Sequence, residues 1–75
     1  MKRFFGMMPS EEVSIERRFK DFSGLSLIIQ AGFKGWSIIY ADHSSEYADA
    51  DRSPEDNFEA AYRVATAAVG HLTAC

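Results

Sequence analysis

The stretch with the most groups capable of chemistry runs from residue 42 to residue 55. It contains six acidic or imidazole side chains: Asp42, His43, Glu46, Asp49, Asp51 and Glu55. Oxygen ligands at alternate positions are typical of a calcium loop, and Asp49, Asp51 and Ser53 have that spacing. The pattern then fails, because Pro54 stands in place of the required glycine and Ala60 in place of the closing glutamate. We therefore predict no metal site and no cofactor, and interpret the stretch as a solvated acidic loop.

The same stretch contains a base beside hydroxyl groups. His43 follows Asp42 and precedes Ser44 and Ser45. Residues adjacent in sequence seldom hold nucleophile, base and orienting group in one geometry, and a small domain has little water-excluded volume in which to tune their pKa values. We therefore expect no enzymatic activity. The alternative left open is a hydrolase or a metal-dependent activity at the acidic loop.

A nucleic-acid interface would need cations and aromatic side chains on one exposed surface. The solvent-side positions of the predicted strands contain no aromatic residue. Phe33 and Lys34 at the tip of a predicted hairpin, with Arg18 and Lys20 expected nearby, are the contacts of an alternative function, weak nucleic-acid binding. No glycine-rich phosphate loop leads into a helix.

The composition is that of an ordinary globular protein. The 75 residues allow one small domain, residues 1–75, and 47% of them are apolar against 25% charged. No apolar run is long enough to span a bilayer, and the apolar stretch near Met1 is too short for an export signal. Cys75 is the single cysteine, so no internal disulfide can form and we expect a reducing, cytoplasmic setting.

The net charge of −3 is unevenly distributed along the chain. Residues 1–37 contain six Lys or Arg and four acids, whereas residues 38–75 contain two and seven. This mild basic excess in the first half indicates a mixed, solvated surface rather than a nucleic-acid footprint.

A β-hairpin within residues 25–42 is the first element that would position these groups. Two apolar, β-branched runs flank a loop formed by Gly32, Phe33, Lys34 and Gly35. The predicted cross-strand pairs are Ala31 with Trp36, Ile29 with Ile38, Leu27 with Tyr40, Leu25 with Asp42 and, on the opposite face, Ile28 with Ile39. The first face is almost wholly apolar, so a slip of one residue would send it into water.

A strand at residues 12–20 precedes the hairpin, because apolar and polar residues alternate there. A turn at residues 21–24 predicts the pairs Phe19 with Leu25, Arg17 with Leu27 and Ile15 with Ile29. Residues 12–42 would then form a three-stranded antiparallel meander with the middle strand at residues 25–31. Arg17 is the exception on its apolar face, where a charge would discourage edge-to-edge pairing.

The second half of the chain predicts an acidic loop and a helix. The loop is residues 43–52, with a short extended piece near residues 46–48 that prolongs the third strand and with Tyr47 as its anchor. Ser53 is a strong N-cap, Pro54 suits the first helical position, and Glu55 and Asp56 favour the helix N-terminus. We predict a helix over residues 54–70, ending near Val69 with Gly70 as its C-cap, and a short tail at residues 71–75.

The apolar stripe of this helix would lie across the apolar face of the sheet. Its predicted members are Phe58, Ala61, Tyr62, Ala65, Ala68, Val69 and Leu72. The fold class is therefore α+β, with the order β-β-β-α and one C-terminal helix on one face of the sheet.

The apolar residues exceed what one helix can cover. The side chains left over are Phe4, Phe5, Met7 and Met8 in the N-terminal segment 1–10, and Ile28 and Ile39 on the uncovered face. Such a surface is typical of a protein contact. We expect a small non-catalytic interaction module that binds another protein and self-associates, most simply as a homodimer, with no membrane partner and no small-molecule substrate.

Overall fold

The computed structural model describes residues 12–75, which contain five strands and one helix. The strands are β1 Ile15–Asp21, β2 Ser26–Gly32, β3 Gly35–Tyr40, β4 Ser45–Asp49 and β5 Leu72–Ala74, and helix α1 is Pro54–Val69. Neighbouring strands are antiparallel, in the order β4-β3-β2-β1-β5. The α+β class is confirmed, but the sheet has five strands rather than the predicted three.

The β2–β3 hairpin has the predicted pairing from Leu27 opposite Tyr40 to Ala31 opposite Trp36. The connection is shorter than predicted, because Gly32 and Gly35 still pair. The predicted pair of Leu25 with Asp42 is wrong. The backbone N–H of Tyr40 bonds to the carbonyl of Ser44 instead, and that bond starts the next turn.

The β1–β2 pairing differs from the prediction by two residues. The observed pairs include Phe19 with Leu27, Arg17 with Ile29 and Ile15 with Ala31. The cause is a turn centred one residue further along the chain, in which Oδ1 of Asp21 accepts hydrogen bonds from the backbone N–H groups of Ser23 (2.9 Å) and Leu25 (3.0 Å). Because the shift is even, each side chain stays on its predicted face.

Strand β4 replaces most of the predicted acidic loop. The extended piece does not prolong the third strand, since the chain reverses at His43 (φ 71°) and returns antiparallel to β3. Tyr47 lies opposite Ser37 and is 52% exposed, so it does not anchor a loop. The strand was hard to predict because it is short and mostly polar, which weakens the period-two signal.

Helix α1 has its predicted caps, Ser53 before its first residue and Gly70 after its last. The hydroxyl oxygen of Ser53 accepts a hydrogen bond from the backbone N–H of Asp56 (3.1 Å). The helix follows β4 at one edge of the sheet and precedes β5 at the other, so it crosses the sheet diagonally. Its 16 residues span about 24 Å, and the two edge strands lie about 19 Å apart.

Strand β5 contradicts the predicted C-terminal tail. The diagonal helix delivers residues 72–74 beside β1, where Leu72 lies opposite Asp21 and is buried. The unpaired edge of β1 supplies the hydrogen-bonding partners that make these three residues a strand.

The core lies between α1 and one face of the sheet, which we call the inner face. Ile29 and Ile38 are fully buried there, against Ala61 and Ala65 of the helix. The predicted stripe is confirmed at these two alanines and at Phe58, Tyr62 and Val69, which pack against the core. Ala68 is exposed instead. Towards β1 the gap is filled by an aromatic cluster of Phe19, Phe58 and Tyr62, with ring centroids 5.6 to 6.3 Å apart.

Asn57 is a polar residue of this core that the sequence pattern did not indicate. It is fully buried, and its side-chain amide donates to the carbonyl of Gly32 (2.7 Å) and to that of Ala50 (3.0 Å). Gly32 ends β2, and Ala50 lies in the connection from β4 to α1. The amide therefore ties the first turn of the helix to the hairpin and to the connection.

The close approach of β3 to β4 can be tested at Gly35. A Cβ atom there would collide with the backbone carbonyl of Ala48. We expect Gly35→Ala to lower the free energy of unfolding by about 2–3 kcal/mol, measured by urea denaturation. Gly24→Ala is the control, because Gly24 also has a positive φ but has open space around it. Equal losses in the two variants would contradict the β3–β4 packing.

Candidate interaction surfaces

The sheet face that points away from α1, here the outer face, has an apolar centre. Ile28 and Ile39 lie directly opposite each other on β2 and β3, and both are half-buried. Next to them, Ser37 is fully buried between Gln30 and Tyr47, the residues opposite it on the two adjacent strands. Its hydroxyl donates to Oε1 of Gln30 (3.2 Å). The outer face thus combines an apolar pair with an ordered polar row.

The predicted interaction surface lies only partly within the described residues. Ile28 and Ile39 have the predicted position on the outer face. The other members, Phe4, Phe5, Met7 and Met8, lie outside residues 12–75. Tyr47 is an addition, since the sequence placed it in a loop and the structure places it on the outer face, beside Ser37.

The predicted nucleic-acid contacts are not brought together. Arg18 and Lys20 lie opposite Ile28 and Ser26, whereas Phe33 and Lys34 form the hairpin tip at the other end of β2. At about 3.3 Å per residue, the separation along the strand is about 17 to 23 Å. The four residues therefore do not form one phosphate-binding patch.

The acidic side chains between residues 42 and 55 are spread over several elements. Asp42 lies in the β3–β4 turn, Glu46 and Asp49 in β4, Asp51 in the following connection and Glu55 in α1. Within residues 12–75, no three His, Cys, Asp or Glu side chains are grouped as a metal site requires.

The serine beside His43 is bonded to an acid rather than to the imidazole. Oδ1 of Asp42 accepts from the hydroxyl (2.7 Å) and from the backbone N–H (3.0 Å) of Ser44. The hydroxyl bond is the main cause of the lowered pKa of Asp42. Asp42 and Ser44 thus stabilise a turn, and no nucleophile paired with a base is seen in this part of the structure.

A groove of about 320 Å³ lies at the corner of the inner face that the diagonal helix leaves uncovered. Its apolar floor is formed by Leu25, which precedes β2, by Leu27 of β2, and by Ala68 and Val69 of α1. Leu25 is 60% exposed there. We call this feature the corner groove. The sequence analysis missed it, because it depends on the direction in which the helix crosses the sheet.

Tyr40 and Glu46 form the polar wall of the corner groove. The Tyr40 hydroxyl donates to Oε1 of Glu46 (3.0 Å). Burial, together with the hydrogen bond and the negative charge of Glu46, raises the pKa of Tyr40 to about 12. Tyr40 is therefore neutral and a hydrogen-bond donor at physiological pH.

No protein-family model, curated protein or solved structure matches the chain. Within residues 12–75, no helix combines the length and the apolar character needed to cross a membrane.

The raised pKa of Tyr40 predicts that the folded state loses stability at alkaline pH. The pKa of Tyr40 is higher in the folded state than the value of about 10 expected when unfolded, so its stabilising contribution is complete below pH 10 and is lost as the pH rises towards 12. We expect this part of the decline in unfolding free energy to be absent in Tyr40→Phe.

Tyr47→Phe is the matched control, because it removes an exposed tyrosine from the other face of the same sheet. Urea denaturation between pH 9 and pH 12 measures the effect. Identical pH dependence in the wild type and in Tyr40→Phe would contradict the raised pKa of Tyr40.

Proposed function

We propose that the protein is a small, non-catalytic interaction module that self-associates through the outer face of its sheet. The observation that carries the proposal is the one-sided position of α1. The helix packs on β1, β2 and β3 from the inner face, and the opposite face presents Ile28 beside Ile39 at its centre. A cytoplasmic location, suggested by the lone Cys75, belongs to the same proposal.

A second copy is the partner that this face suits best. Two outer faces can pack as a pair of sheets related by a twofold axis, which brings the same apolar patch from each copy together. Tyr47 adds an exposed aromatic side chain beside that patch, a residue type enriched in protein interfaces. The half-buried side chain of Gln30, which accepts a hydrogen bond from the buried Ser37, gives the contact a polar border.

The size of the face sets the expected strength of the contact. The five strands contain 28 residues, which at about 3.3 Å per residue and about 4.8 Å between strands present roughly 450 Å² per copy, or about 900 Å² in total. This area lies at the lower limit for a specific interface. We therefore expect a reversible dimer that dissociates on dilution.

The test is the oligomeric state over a hundredfold dilution from hundreds of micromolar, measured by analytical ultracentrifugation. The wild type should change from dimer to monomer. Ile28→Lys combined with Ile39→Lys should remain monomeric and folded, because buried like charges at the centre of the contact prevent pairing.

Phe22→Lys is the matched control, since Phe22 is 84% exposed in the β1–β2 turn and away from the outer face. It should dimerise like the wild type. A wild type that stays monomeric at the highest concentration, with a double variant that unfolds, would contradict self-association.

A further inference from the structure

The corner groove has a negative rim around its apolar floor. Asp21, Asp42 and Glu46 contribute carboxylates to its lining, and within residues 12–75 no Lys, Arg or His lines it. The hydroxyls of Ser23 and Ser44 bond to Asp21 and Asp42 and are the main cause of the lowered pKa of each. Asp21 and Asp42 are therefore negatively charged at neutral pH.

The helix end adds to this negative potential. Ala68 and Val69 belong to the last turn of α1, where the carbonyl groups carry the negative end of the helix dipole. That turn contains no basic residue to offset it. The carboxylates of the lining and the C-terminal end of the helix thus both attract a positively charged ligand to the groove.

The floor and the wall specify the rest of the ligand. Leu25 is exposed over most of its surface and offers apolar contact to an aliphatic or aromatic group. Oε1 of Glu46 accepts from Tyr40, and the structure shows no donor to its Oε2 within residues 12–75. That oxygen is available to an ammonium or guanidinium group.

We propose that the corner groove binds a peptide segment of a partner protein that carries Lys or Arg next to a large apolar side chain. The charge complementarity selects the cation, and the exposed floor selects its apolar neighbour. A peptide suits the groove better than a free small molecule, because a shallow groove with so exposed a floor would leave much of a small ligand in water. The contact lies on the inner face, so it is separate from the proposed dimer surface.

The test uses a fluorescently labelled peptide in which two lysines alternate with two leucines between terminal glycines. Fluorescence anisotropy on the full chain should show binding that weakens as salt is raised, and a peptide with glutamate in place of each lysine should not bind. Ala68→Arg places a cation in the groove and should weaken binding by about tenfold or more.

Ala67→Arg is the matched control, because Ala67 is also exposed on α1 but does not line the groove. It should change the affinity by less than about twofold, since it adds the same charge to the surface without entering the site. Leu25→Ser should also weaken binding, because it removes the exposed part of the apolar floor.

Three outcomes would overturn the proposal. One is equal weakening by Ala68→Arg and Ala67→Arg, which would mean attraction by net charge alone. Another is equal binding of the lysine and glutamate peptides. The third is that hexylamine competes as well, mole for mole, as the peptide, which would assign the groove to a small amphipathic amine.

Discussion

The buried amide of Asn57 is the interaction on which the arrangement of helix and sheet depends. Apolar packing between α1 and the sheet is not directional, and the small alanines at its centre would tolerate more than one crossing angle. The amide is directional. Its two hydrogen bonds, to Gly32 and Ala50, bring the start of the helix to the hairpin end of the sheet and leave no freedom to slide along the strands.

A helix fixed at that end can reach the opposite edge of the sheet only by crossing diagonally. The crossing accounts for β5, which the chain forms on arriving beside β1. It also accounts for both proposed surfaces. The outer face has no helix from residues 12–75, and the corner groove is the part of the inner face beyond the path of α1. The proposed functions are therefore consequences of one packing geometry.

The sequence predicted the elements with strong local signals. The alternation in residues 25–42 determined the central hairpin, and Ser53 with Pro54 determined the start of the helix. The register of β1 could not be obtained in this way, because it depends on how the carboxylate of Asp21 folds the turn. Strands β4 and β5 are short, and each exists because a neighbouring edge pairs with it. The corner groove joins residues from three separate stretches of the chain, 21–27, 40–46 and 68–69, so only the tertiary structure shows it.

The most direct test of this account is the unfolding free energy of Asn57→Ala, measured by urea denaturation. We predict a loss of about 2–4 kcal/mol, because the buried carbonyl of Gly32 and the partly buried carbonyl of Ala50 would lose their donor. Asn57→Asp has nearly the same size but places carboxylate oxygens against those carbonyls, and it should destabilise at least as much at neutral pH. A loss below about 0.5 kcal/mol in both variants would show that the amide does not hold the helix on the sheet.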